Sequence, residues 1–301
     1  MKILFLLLFV STNVLAQDFF SQTSPASFSK LQSVTSGRTL SDYPIPSVEF
    51  QWKVLGVTKN SSTGGGSGSD VEIGEVILAD IRDKKLRAAL VVRGNLFQSR
   101  MGDWTNEPCK RDDFLWKQST GGKFSNQNCV SINHRVNFFK APTGLYQQIL
   151  TDLREINLDI PPTVLTVEFT RYASGGRYLV YRYEINPEFF GLARDSETVW
   201  GASGWHKSRV QNDPAKVAFI GGLSRWASDV QSKIDDAFSK RTDAFNSIRS
   251  LESYLGIQES KNSPKGLSIE ARLEQLKNLR DKNLITQDQY SQEVGSILSG
   301  K

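Results

Sequence analysis

The sequence predicts an α+β protein: a mainly antiparallel sheet of about six strands covered by a long helix, with a helical hairpin at the C-terminal end. Three observations carry this. Apolar and polar residues alternate along several runs between Val48 and Ile185, the period of a strand with one buried face. Two such runs, through Leu165, Val167 and Phe169 and through Leu179, Tyr181, Tyr183 and Ile185, flank Ala173-Ser174-Gly175-Gly176, a hairpin signal. At Asp213-Pro214 the apolar spacing changes to three and four, the period of a helix.

The elements follow in order. Residues 1–16 read as a secretory signal: Lys2, an apolar run from Ile3 to Val10, and Val14-Leu15-Ala16 as a small-residue cleavage pattern. Polar residues from Ser11 onward interrupt the run well short of the roughly 20 apolar residues that span a bilayer. Residues 17–46 are rich in Ser, Thr and Gln and read as a poorly ordered lead-in. Its Ser27-Phe28-Ser29-Lys30 fits Ser-x-x-Lys, but the companion Lys-Thr-Gly is absent, so the match is taken as chance.

The main α+β domain is expected over 47–256. Val48, Phe50, Trp52 and Val54 form the first strand face. The Gly/Ser stretch from Asn60 to Ser69 is read as a long hairpin loop, because strand patterns flank it. Val71–Ile81 and Leu86–Val92 are the next strands, turned at Asp83-Lys84-Lys85. Gly94 to Asn128 reads as irregular. Val130 to Phe138 is a strand, and Gly144 to Ile156 has helical spacing ended by Pro161-Pro162. Asp213 suits an N-cap and Pro214 the first helical position. Phe219, Leu223, Trp226, Ala227, Val230, Ile234 and Phe238 then form one apolar stripe, resuming through Phe245, Ile248, Leu251 and Leu255. Residues 257–266 read as a linker.

The chain has 301 residues, 39% apolar and 23% charged, a composition that excludes disordered and fibrous classes. The net charge of +5 is spread without blocks of like sign. It suits peripheral contact with anionic envelope surfaces; export argues against nucleic acid as a partner. Cys109 and Cys129 are expected to pair in an oxidising compartment, closing a loop of about 20 residues worth roughly 3 kcal/mol by loop entropy.

Residues 267–301 hold a local helix–turn–helix signature. Leu273, Leu276 and Leu279 form a narrow stripe, and Asn283 suits a left-handed turn. Thr286 and Gln289 make a capping box, with Ile285 and Tyr290 as its hydrophobic staple. Ile297 and Leu298 extend the apolar face. These elements resemble SHOCT, the short C-terminal domain of many bacterial proteins, whose usual Gly, Glu and Phe are here Asn283, Gln289 and Tyr290. The resemblance covers about the last 30 residues and implies an oligomerisation or interaction module without chemistry of its own. A hairpin this small buries too little apolar surface to stand alone, so it must dock on its own domain, a second copy or an envelope partner.

No motif for catalysis, metal or cofactor emerges. The chain has two histidines, His134 on a strand face and His206 in a Gly-rich stretch, without the close spacing of a zinc site. Gly201-Ala202-Ser203-Gly204-Trp205 lacks the last Gly of Gly-x-Ser-x-Gly. The stronger candidate is a binding surface around the cysteine pair, with Trp104, Arg111 and Trp116, joined by Trp200, Trp205 and His206; a loop tied at its ends loses less entropy on binding. The sequence thus predicts a non-enzymatic exported envelope protein. The alternatives are a hydrolase assembled from scattered residues and a small-ligand or lipid carrier using the crevice between sheet and long helix.

Overall fold

A computed structural model of the chain describes residues 28–257, apart from 35–36, 47–48, 64–69, 97–106, 123–125 and 138–144, together with Lys277, Arg280, Gln287, Tyr290, Ser291 and Val294. The proposed signal, Ser27, the Gly/Ser loop tip and Trp104 lie outside the described residues, as do Leu273, Leu276, Leu279, Ile285 and Ile297. The chain divides into two units, Met1–Leu255 and Gly256–Lys301.

In the first unit, strands β1 (Thr39–Leu40) and β2 (Tyr43–Pro44) pair with each other. A seven-stranded sheet follows, built from β3 (Trp52–Thr63), β4 (Asp70–Arg82), β5 (Lys85–Asn95), β6 (Trp116–Gly121), β7 (Asn126–Val136), β8 (Thr163–Ala173) and β9 (Arg177–Ile185). All neighbours are antiparallel, in the order β3-β4-β5-β9-β8-β7-β6. A three-strand and a four-strand meander therefore meet at β5 and β9. The β4–β5 turn places Asp83 and Lys84 both at positive φ, the geometry a two-residue hairpin turn requires.

Alternate residues of the strands feed two cores. On one face Val76, Leu78, Leu90, Val130, Ile132, Val167, Phe169, Tyr181 and Tyr183 pack under α3 (Pro214–Gln231), α4 (Ile234–Phe238) and α5 (Leu251–Leu255). On the other, Ile77, Ala79, Ala89, Val91 and Val164 meet Ile149 and Leu153 of α1 (Leu145–Glu155). The short α2 (Lys207–Val210) precedes α3. Asp213 caps α3 by accepting from the amides of Ala215 and Lys216, with Pro214 in its first turn.

Three expectations are corrected. Part of the lead-in is ordered core: Leu40, Tyr43 and Ile45 are buried, and Tyr43 lies so close over β5 that a Cβ at Gly94 would stand 2.5 Å from its ring. Residues 116–121, read as irregular, are edge strand β6; its residues are mostly half-buried or exposed, so no apolar period marks it. The long helix is broken. The Ser232 hydroxyl donates to the Asp229 carbonyl and the Lys233 amide to that of Val230, local bonds that compete with helix continuation. Ile234 and Phe238 still reach the core, and Lys240 at positive φ ends that segment. Residues 239–250 form turns and irregular chain, not a continued helix.

In the second unit Lys277, Arg280, Gln287, Tyr290, Ser291 and Val294 are helical, and the Arg280 guanidinium lies 4.7 Å from the Tyr290 ring centroid.

Candidate functional site

The cysteine pair forms a disulfide, Cα–Cα 5.8 Å, which ties the chain before β6 to β7. β6 pairs with β7 only up to Trp116 opposite Ile132, so His134 lies on the part of β7 that runs past its neighbour. There the loop before β6 approaches, with the Leu115 amide donating to the Ile132 carbonyl.

Residues 200–206 reach the same place. The Trp200 indole stacks on His134, centroids 4.9 Å apart and planes within 16°. The two residues bond reciprocally: His134 Nε2 lies 3.0 Å from the Trp200 carbonyl oxygen, and Trp200 Nε1 donates to the His134 carbonyl at 3.3 Å. His206 stands edge-on to both rings, 4.6 Å from Trp200 and 5.9 Å from His134. His206 also caps α2: its Nδ1 accepts from the Ser208 amide at 3.4 Å and lies 2.8 Å from the Ser208 hydroxyl. Burial holds the His134 imidazole below its ordinary value. Its Nδ1 is buried and has no hydrogen-bond partner among the described residues.

Charged residues of the loop before β6 lie near the rings. Arg111 donates from Nε to Asp113 at 3.0 Å, and the hydrogen bonding to Arg111 keeps the Asp113 carboxyl below its ordinary value. Lys117 pairs with Asp112 at 3.2 Å, and Lys207 donates to the Asp112 carbonyl at 2.6 Å. Of the residues singled out in the sequence, the structure brings Trp200 and His206 together at His134, while Arg111 pairs with Asp113 on the loop before β6. Trp116 instead lines the edge of the core, half-buried. Trp205 is corrected outright: it is fully buried against Phe219, since the turn before α2 directs its ring under α3.

Ser203 is buried and donates its hydroxyl hydrogen to Asp195 Oδ2 at 2.5 Å, while accepting from the Trp205 amide. It bonds to neither histidine, whereas a serine nucleophile needs a base within hydrogen-bond reach.

A second polar group was missed by the sequence reading. Arg87, 1% exposed, donates to Asp80 at 2.7 Å and to Glu252, and its guanidinium lies 4.5 Å from the Phe50 centroid. Close by, burial pushes the Glu49 carboxyl up to about 8, opposed by the Leu251 amide and the Arg87 charge. Glu49, Phe50, Tyr183, Trp226 and Phe245 line a small crevice with room for about one or two water molecules. The available signal was Asp80 and Arg87 as opposite charges interrupting the apolar stretches Val76–Ile81 and Leu86–Val92, either side of one turn.

No family, no curated protein and no solved structure matches this chain. The disulfide stands, and among the described residues no helix is long and apolar enough to cross a membrane.

Proposed function

We propose that the protein is an exported, non-enzymatic binding protein of the bacterial envelope. In this reading its contact face is the loop around Trp200 and its SHOCT-like hairpin mediates assembly. One observation carries the reading: Val199 and Trp200, 63% and 36% exposed, present adjacent apolar groups on a loop followed by exposed Lys207 and Arg209, the latter donating to the Ala202 carbonyl. An apolar tip with cations around it suits an anionic surface, where ring burial and charge attraction add. The disulfide supports export, because such bonds persist in oxidising compartments. The engagement of Ser203 by Asp195 weighs against the hydrolase alternative. The small size of the crevice weighs against a lipid carrier.

The test is co-sedimentation of the chain with phosphatidylglycerol vesicles, with phosphatidylcholine vesicles as control. Selective binding that falls in Val199→Asp, an exposed position whose change spares the core, supports the reading. Equal sedimentation with both vesicle types, or binding unaffected by the substitution, sinks it.

A further inference from the structure

We propose that His134 is an acid-sensitive latch: its neutral ring holds residues 199–202 against the end of β7, and uptake of a proton from solvent releases them. The bonds of the closed state fix its tautomer. His134 Nε2 lies 3.0 Å from the Trp200 carbonyl oxygen; a carbonyl only accepts, so this nitrogen carries the proton and Nδ1 holds a lone pair. A second proton must therefore go to Nδ1. The residue is 3% exposed, and among the described residues Nδ1 meets no hydrogen-bond partner. An N–H on a charged ring, buried without an acceptor, is more costly than the lone pair it replaces. The charged ring needs water, and the Trp200 indole, stacked at 4.9 Å, covers one of its faces. Closure of the loop and protonation of His134 thus oppose each other.

The segment that can lift is short. Asn137 Nδ2 holds the Thr198 carbonyl at 2.9 Å on one side; on the other, Ser203 is bonded to Asp195 and Trp205 is fully buried. Arg209 also donates to the Ala202 carbonyl, but that bond is exposed and competes with water. The charges around the ring come from several elements. Asp195, Asp113 and the Trp200 carbonyl favour the charged ring, and Arg111 and Lys207 act on Asp113 in turn. Arg135, next along β7, pairs with Glu184 instead. Burial is the larger influence and His206 adds to it, so the His134 imidazole stays below its ordinary value. A charge on His206 would add repulsion across 5.9 Å and remove the lone pair that accepts the Ser208 amide at the start of α2. The closed loop is therefore fully favoured above about pH 6.5, the ordinary value, and loses ground as pH falls below it. The inference goes beyond the surface-binding reading and does not depend on it.

Hydrogen exchange of the full chain, corrected for the intrinsic pH dependence of exchange, tests the latch without any membrane. Protection of the Ala202 and Ser203 amides, both bonded to the Val199 carbonyl, should fall at least about fivefold from pH 8 to pH 5, while amides of β8 and β9 keep theirs. In His134→Gln, whose side chain cannot titrate, the same amides should show no such fall. A second measurement needs no variant. In NMR spectra of the native chain the His134 ring should titrate below pH 6.5, and the Trp200 indole N–H resonance should move with the same midpoint. Unchanged protection of the loop at pH 5, an equal fall in His134→Gln, titration of His134 at or above its ordinary value, or a Trp200 resonance that ignores that titration would each overturn the latch.

Discussion

His134 and Trp200 are joined three ways: their rings stack at 4.9 Å, His134 Nε2 meets the Trp200 carbonyl, and Trp200 Nε1 meets the His134 carbonyl. The pair fastens an exposed loop to the end of β7. Each bond contributes about 1 kcal/mol net, and aromatic stacking of this kind about as much again. Trp200→Phe, which keeps a ring but loses the indole donor, should therefore cost about 1 kcal/mol. Trp200→Ala should cost about 2 kcal/mol. Urea unfolding measures both; an alanine variant as stable as the parent would mean that the loop is held elsewhere.

The Arg87–Asp80 pair sits between sheet and α5 with both side chains buried. Breaking such a pair from one side leaves an uncompensated charge in low dielectric, typically costing 3–5 kcal/mol. Arg87 retains Glu252, so Asp80→Ala should fall near the lower end, about 3 kcal/mol. Replacing both partners, as Asp80→Asn with Arg87→Met, should be milder than Asp80→Ala alone. A double variant less stable than the single one would contradict this account.

Glu49 gives the fold a pH dependence of definite sign. Its folded-state value, raised from 4.5 to about 8 chiefly by burial, means that the folded protein binds a proton there more tightly than the unfolded chain. The carboxyl's contribution is fully present below about pH 4.5 and is lost as pH rises through about 8. At about 1.4 kcal/mol per unit the whole effect is at most about 5 kcal/mol. Glu184, raised by its own burial, acts in the same direction. Denaturant midpoints of the parent should decline from pH 5 to pH 9, and Glu49→Gln should flatten the slope. Parallel slopes in parent and variant would remove Glu49 as the cause.

Local signals in the sequence carried much of the fold. Alternation marked β8 and β9, with Gly175 and Gly176 turning between them at positive φ, because strand period and turn chemistry depend only on near neighbours. Asp213 and Pro214 marked the start of α3 for the same reason. The two cysteines needed only each other.

What local signals cannot carry is which distant segments meet. β6 was hidden because its residues are partly exposed on both faces and show no apolar period. The lead-in looked unstructured because Leu40 and Tyr43 find their partners only once β5 is in place. Trp200 and His206 stand out by residue type. Their meeting at His134 follows from β7 outrunning β6, which leaves a gap that the loops before β6 and around Trp200 fill. Glu49 and Arg87 were missed because an isolated charge in a sequence says nothing about its dielectric surroundings. The packed sheet and helices create those surroundings, and with them the proton affinity and the burial cost.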